Sequence, residues 1–223
     1  MKLVLFTAMM TCGCLYLSTR LIAEEPPTTR FAESFENGSA RWEPTDAKAW
    51  EVVALKEGGH AYHLIGNSQY KPPHRSPFNI SLIKEHAFGD FELTARVKTL
   101  QTSRGHRDMC LFFGYQDPAH FYYVHLGEKA DPHSNQIFIV NDAPRTAISE
   151  QTSEGTPWKD DTWHQVKLVR KLKDGRIEVY FDDMKSPQMV AHDQHFGAGR
   201  VGVGSFDDFG LWDDVEIHSL DGE

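Results

Sequence analysis

The chain has 223 residues, of which 40% are hydrophobic, 12% aromatic and 25% charged, and its formal net charge at pH 7 is -9. It carries 14 Phe, 7 Tyr and 5 Trp, which supply enough apolar surface for a core and exclude a wholly disordered chain. A polytopic membrane protein is excluded as well, because it needs several apolar runs of about 20 residues. Since the chain is acidic and has no basic tract, we expect no nucleic-acid partner.

Residues 1–23 have the pattern of a secretory signal peptide. Lys2 precedes an apolar run, and Leu21-Ile22-Ala23 precedes the polar turn Glu24-Glu25-Pro26-Pro27. One positive charge, an apolar centre and a final small residue predict cleavage after Ala23. The alternative is a retained membrane anchor, but Arg20 shortens the apolar span. We therefore expect a secreted or periplasmic protein with no membrane span in the mature chain.

Removal of that segment leaves Cys110 as the only cysteine, because Cys12 and Cys14 lie within it. One cysteine cannot form an intrachain disulfide, so the fold must depend on its core or on a metal. Cys110 lies in the apolar run 109–113. This position predicts a buried structural thiol rather than a nucleophile.

Alternation of apolar and polar residues predicts β-strands along the whole mature chain. Phe91, Leu93, Ala95 and Val97, for example, alternate with charged or polar residues. In chain order, strands are predicted at 31–36, 49–55, 60–65, 78–83, 91–97, 108–115, 120–127, 135–141, 162–171, 177–181, 200–206 and 215–217. About twelve strands without crossover helices predict an all-β protein, an antiparallel two-sheet sandwich.

The domain organisation follows from the same reading. Residues 24–29 are predicted to be a short linker, and residues 30–221 a single domain without internal repeats. The stretches 109–115 and 121–126 are apolar on both faces, which predicts central strands with one face in the core. Their other face would be covered by loops or would line a groove. Trp163 is predicted to lie in the core.

Several segments resemble the laminin-G-like and concanavalin A-like lectin/glucanase superfamily. The hairpin formed by 162–171 and 174–182, with its Trp163-His164 start and Asp174-Gly175 turn, is similar to one of that superfamily. The closing stretch 199–215 and the opening stretch 33–38 resemble its last two strands and its first. The nearest type is the secreted bacterial 3-keto-disaccharide hydrolase-like domain. The resemblance implies a jelly roll whose concave sheet holds a carbohydrate.

Whether that carbohydrate is cleaved is left open by the resemblance. The glucanase branch carries Glu-x-Asp-x-x-Glu on one strand for retaining hydrolysis, and this sequence has no such triplet. The favoured interpretation is a carbohydrate-active enzyme, either a glycoside hydrolase or a polysaccharide lyase. The alternatives are a non-catalytic carbohydrate-binding module and a laminin-G-type protein-interaction domain.

Polar residues beside the apolar strands are the candidates for a site in the groove. His106 and His125 would transfer a proton near neutral pH, with Asp108 orienting a histidine or acting as an acid. Tyr123 would stack on a sugar ring or serve as the acid of an elimination. Sugar hydroxyls or a uronate carboxylate would be bound by Arg75, Arg107, Asn135, Asn141 and Arg145. The alternative is that all of these make ordinary hydrogen bonds at strand ends.

A structural calcium ion is implied by the resemblance, because the superfamily often ties its first strand to its last with one ion. Hard oxygen ligands suit calcium. The matching positions are Glu36, the carbonyls around Gly58-Gly59, and Asp214 or the neighbouring Asp213. An acidic turn without metal is the alternative. The 12 histidines show no zinc-binding spacing.

Overall fold

The structure is a computed structural model that describes residues 28–84 and 86–220. The predicted signal peptide, residues 24–27 of the predicted linker, and the cysteines at 12 and 14 lie outside the described residues. Within them, no helix is long and apolar enough to cross a membrane. The helical structure described is one 3₁₀ turn, Ala47–Ala49.

The described residues form sixteen strands. In chain order these are β1 (Thr28–Glu33), β2 (Trp42–Pro44), β3 (Trp50–Ala54), β4 (His60–Leu64), β5 (Asn79–Ile83), β6 (Phe91–Thr99), β7 (Cys110–Asp117), β8 (His120–His125), β9 (Gln136–Asn141), β10 (Thr146–Ala147), β11 (Gln151–Thr152), β12 (His164–Arg170), β13 (Arg176–Phe181), β14 (Met189–His192), β15 (Arg200–Ser205) and β16 (Gly210–Ser219).

The strands make two antiparallel sheets. The larger has the order β11-β14-β13-β12-β6-β16-β4-β3, with β1 paired to β16, and the smaller has the order β10-β9-β8-β7-β15-β5-β2. We call them the large sheet and the small sheet. Every pairing between strands is antiparallel, for example Leu168 opposite Leu93 and Val124 opposite Leu111. The predicted all-β, antiparallel two-sheet sandwich is confirmed.

The main core lies between the two sheets. On β6 the residues Phe91, Leu93, Ala95 and Val97 are buried, and the residues between them are half-buried on the outer side. Each large apolar side chain removed from water in this way contributes about 1.5–3 kcal/mol to stability. The alternation in the sequence therefore predicted both the strand and the face that it buries.

A second apolar layer covers the other face of the small sheet. Tyr122, Val124 and Leu126 face the main core, whereas Phe121 and Tyr123 lie on the opposite face. On that face they belong to a cluster, here called the outer cluster, made of Ile80, Leu82, Cys110, Phe112, Tyr115, Phe121, Tyr123, Phe138 and Val140. Cys110 is a free, buried thiol, which confirms its predicted burial. Strands β7 and β8 are thus central strands with two buried faces.

The connection between β4 and β5, residues 65–78, crosses the outer face of the small sheet; we call it the crossing segment. Near the β2 edge, the Gln69 backbone N–H donates to Asp46 Oδ2 at 3.0 Å. At the β9–β10 edge, the Arg145 backbone N–H donates to the Arg75 carbonyl at 3.1 Å. Tyr70, between these ends, packs against the outer cluster. Loops therefore cover this face, and the predicted groove is not an open channel along the sheet.

Three features differ from the sequence-based predictions. β1 begins at Thr28, inside the predicted linker, because Thr28 pairs with Ser219 of β16 through the backbone. Four short strands, β2, β10, β11 and β14, are additional. Trp163 was expected in the core but is half-buried at the surface, where it packs against Arg96. The reason is that His164 points inward, so its neighbour must point outward.

Candidate functional site

The candidate site lies at one end of the outer face of the small sheet, where β8 ends and β7 begins. His125 is paired with Cys110 across these two strands, and Asp108 lies two residues before the start of β7. His125 Nε2 lies 3.5 Å from Asp108 Oδ2. Tyr123 is two residues before His125 on the same face. The predicted proximity of Asp108, Tyr123 and His125 is therefore found.

Arg145 joins this group from the loop after β9. Its Nη1 donates to the Tyr123 hydroxyl at 2.7 Å, and its Nη2 donates to the His133 carbonyl at 3.1 Å. The guanidinium carbon lies 4.7 Å from the centre of the Phe138 ring and 4.6 Å from that of Phe206. Cation–π contacts of this kind contribute about 0.5–2 kcal/mol. The guanidinium is thus fixed over the aromatic layer.

Two buried aspartates lie below this surface. Asp108 Oδ2 accepts the Phe206 backbone N–H at 2.9 Å and the Cys110 thiol at 3.2 Å. Asp208 Oδ2 accepts the Asp108 backbone N–H at 2.7 Å, and its Oδ1 pairs with Arg104. Burial raises the pKa of Asp108 to about 6, and burial together with the Asp108 charge raises that of Asp208 to about 6. Both carboxyl groups fix the loop that carries Phe206.

His125 and Tyr123 are held in their neutral forms. Burial, aided by the Arg145 charge, lowers the pKa of His125 to about 3. Burial raises the pKa of the Tyr123 hydroxyl well above its usual value, although Arg145 opposes the shift. Asp108, Tyr123 and His125 are 0%, 0% and 3% exposed. Their side chains therefore support the site from below and do not reach a molecule bound on its surface.

Two predicted residues lie at the rim of the site. His106 is exposed, and its Nε2 lies 2.6 Å from Asp131 Oδ2. Arg75 is exposed on the crossing segment, beside Arg145. These two side chains, unlike the buried three, are accessible to a ligand.

The structure places the other three predicted binding residues elsewhere. Arg107 is buried and donates to Asp160 Oδ1 at 2.6 Å, away from the outer face. Asn135 is buried and holds the start of β9 to the loop at 152–156 through bonds such as Nδ2 to Thr152 Oγ1 at 2.9 Å. Asn141 is opposite His120, at the far end of β8 from His125. These two ends are five residue steps apart along the strand, about 16 Å.

Phe206, Asp208 and Arg104 were not predicted as site residues. Their position depends on the register of β15 and β7, in which Gly204 is opposite Cys110. This register brings the acidic pair at 207–208 beside Asp108. In the sequence, the only indication of these site residues is the pair of adjacent aspartates at 207–208, which follows a predicted strand. The sequence does not show which strand lies beside this pair.

The acidic residues predicted to bind calcium each have a basic partner. Glu36 accepts the His60 backbone N–H at 2.8 Å, and its other oxygen lies 2.8 Å from His60 Nδ1. Asp214 Oδ2 lies 3.3 Å from Arg96 Nη1. Among the described residues, three carboxylates lie close enough together to share a cation, those of Asp108, Asp207 and Asp208. Arg104 already forms ion pairs with Asp207 and Asp208. Calcium at Glu36 and Asp214 stays a prediction.

No protein-family model and no curated protein matches the chain. Among solved structures, it is similar to the carbohydrate-binding module CBM66 from Bacillus subtilis, with TM-score 0.56, 17% identity, and 80% of this chain and 96% of the other covered. It is also similar to domain 4 of AbnA, a GH43 extracellular arabinanase from Geobacillus stearothermophilus, in complex with arabinotriose, with TM-score 0.56, 14% identity, and 87% and 94% covered. A third similar structure is the cellulose induced protein Cip1, with TM-score 0.56, 13% identity, and 85% and 97% covered. The chain therefore has the jelly-roll sandwich fold of the concanavalin A-like kind, as its sequence resemblance implied.

Proposed function

We propose that the protein is an exported carbohydrate-binding domain whose ligand lies at the end of the small sheet around Arg145 and Phe206. The observation that carries this proposal is a guanidinium fixed over aromatic rings at an accessible surface. Phe206 is half-buried, and its ring centre lies 6.0 Å from that of Phe78. Such rings can pack against the apolar face of a sugar, while Arg145 and Arg75 donate to its oxygens.

The comparisons support the same proposal. The chain covers 96% and 94% of two similar structures whose names refer to a carbohydrate-binding module and to a complex with arabinotriose. Both are therefore similar over nearly their whole length, rather than over a shared fragment. One of the two belongs to an extracellular arabinanase, which also supports export. N-terminal sequencing of protein recovered outside the cytoplasm tests export, and we expect the sequence to start at Glu24.

Burial of the predicted catalytic residues favours binding over cleavage. General acid–base catalysis needs a side chain within hydrogen-bond distance of the reacting atom. Asp108, Tyr123 and His125 are enclosed by the sheet and the loops above it. His106 is exposed, but it is engaged by Asp131. Hydrolysis or elimination therefore remains the alternative function, and a protein-interaction domain the third.

A glycan array followed by calorimetry on the best ligand tests the proposal. We expect binding in the wild-type protein and at least a tenfold loss, about 1.4 kcal/mol, in Phe206→Ala, because the variant removes the apolar surface under the sugar. Trp163→Ala is the matched control, since it removes a half-buried aromatic ring from the large sheet.

Three other outcomes would contradict the proposal. A loss in Trp163→Ala without one in Phe206→Ala would place the ligand on the large sheet. New reducing ends released from the bound glycan would establish cleavage. Binding of no glycan would favour the protein-interaction function.

We also propose calcium at Glu36 and Asp214, as the superfamily pattern implies. The ion would have to replace His60 and Arg96 as partners of these carboxylates. Calorimetric titration with CaCl₂ is expected to give heat that disappears in Asp214→Ala and persists in Asp183→Ala, which changes another exposed acidic turn. Equal heat in both variants, or a Tm indifferent to chelator, would reject this site.

A further inference from the structure

The Arg145 guanidinium has no acidic partner among the described residues. Its two hydrogen bonds go to neutral oxygens, the Tyr123 hydroxyl and the His133 carbonyl. Its Nε is buried without a hydrogen-bond partner. Because a guanidinium has five N–H groups, one remains unused on each Nη nitrogen. A half-buried cation in this state is incompletely compensated.

Other arginines of the protein are compensated differently. Arg104 pairs with Asp207 and Asp208, Arg107 with Asp160, and Arg176 with Glu178. Arg170, which is buried, donates to three backbone carbonyls. Arg145 combines burial against aromatic rings with unused donors.

A second basic residue lies beside it. Arg75 is bound to Arg145 through the backbone, and its exposed side chain has no partner among the described residues. The preceding residue, His74, already pairs with Asp142 at 3.2 Å. Two arginines without carboxylate partners are therefore joined through their backbones, on a chain whose net charge is -9.

The acidic groups that face this region are engaged elsewhere. Asp131 pairs with His106, and Asp207 with Arg104. Asp108 is buried below the surface and accepts the Phe206 backbone N–H. None of these carboxylates lies at ion-pair distance from Arg145, so none of them compensates its charge.

We propose that the carbohydrate bound at this site is acidic, with its anionic group paired to Arg145 and Arg75 and its ring packed against Phe206. This inference rests on the proposed function of the same site. A planar guanidinium with two free Nη donors matches a carboxylate in a bidentate arrangement, and it also binds the oxygens of a sulfate ester. A uronic acid and a sulfated sugar share this chemistry.

The test compares pairs of ligands that share their sugar rings and differ in charge. Tetragalacturonate and its methyl ester have the same sugar rings, and dextran sulfate and dextran form a second pair. We expect calorimetry at low salt to show at least tenfold tighter binding of one charged member than of its neutral counterpart. Arg75→Gln and Arg145→Gln should each abolish that difference. Arg41→Gln, which changes an exposed arginine on the other side of the molecule, should preserve it.

The ligand pair that shows the preference identifies the anion. A preference within the galacturonate pair indicates a carboxylate, and one within the dextran pair indicates a sulfate ester. The Arg75 variant keeps the test decisive if Arg145→Gln does not fold, because Arg75 is exposed and its side chain makes no contact that the fold needs. Equal binding of charged and neutral members, with both weakened by Phe206→Ala, would overturn this inference and leave carbohydrate binding intact. Failure of these four ligands and of all neutral glycans would overturn both.

Discussion

Gly204→Ala is expected to lower the free energy of unfolding by about 3 kcal/mol or more. A Cβ atom at this position would lie 1.9 Å from the Asn79 carbonyl oxygen and 3.0 Å from a carbon of the Phe112 ring. The carbonyl belongs to the neighbouring strand β5, so it cannot move without disturbing the pairing of β15 with β5. Overpacking costs about 1–3 kcal/mol, and each weakened backbone hydrogen bond adds about 0.5–1.5 kcal/mol.

Urea denaturation followed by tryptophan fluorescence measures this loss. Gly197→Ala is the matched control, because a Cβ there would meet no atom within 4 Å. We expect the control to stay within about 0.5 kcal/mol of the wild type. A Gly204→Ala protein of wild-type stability would show that β15 does not lie as close to β5 as the structure places it.

His125→Gln is expected to remove a large acid sensitivity of the fold. The folded-state pKa of His125 is about 3, below the value of about 6.5 for an unfolded histidine. The unfolded chain therefore binds a proton first, and the stability that neutral His125 contributes is lost as pH falls from 6.5 toward 3. At pH 4.5 the loss is about 3 kcal/mol, so the wild type should lose that much more than the variant between pH 7.5 and 4.5.

The buried carboxyl groups of Asp108 and Asp208 have the opposite effect on the stability of the fold over an overlapping pH range. The pKa values of Asp108 and Asp208 are each raised to about 6, so their protonation below pH 6 favours the folded state. For this reason the measurement is the difference between wild type and His125→Gln in urea midpoints across the pH range. His133→Gln, at an exposed position, should follow the wild type. Parallel pH profiles for wild type and His125→Gln would contradict the burial of this histidine.

The sequence predicted the regular part of the fold because burial of one strand face imposes a period of two. β6 follows this rule, and Tyr123 and His125 share a face as expected. On β13, Ile177, Val179 and Phe181 face the core as the alternation predicted, but Glu178 and Tyr180 on the other face are buried as well. The short strands β2, β10 and β11 could not be predicted in the same way. They have two or three residues and depend on backbone pairing with β5, β9 and β14, for which side-chain type carries little information.

The candidate site was predictable only where it lies within strands. Side chains at strand ends, such as Arg107 and Asn135, take their direction from loops, and both turn toward the 152–160 region. The sequence left open whether loops cover the face that carries Tyr123 or whether this face lines a groove. The crossing segment lies over this face, but its prolines, histidine and serines are typical of an ordinary surface turn. Nothing in that composition indicates that the segment lies across a sheet.

The crossing segment has a consequence for how binding can change in this fold. It leaves the large sheet at β4, enters the small sheet at β5, and joins no strand ladder in between. A deletion or insertion within it would alter how much of the aromatic surface is open, while every pairing between strands stays in place. The opening above the small sheet thus depends on a connection that lies outside both strand ladders.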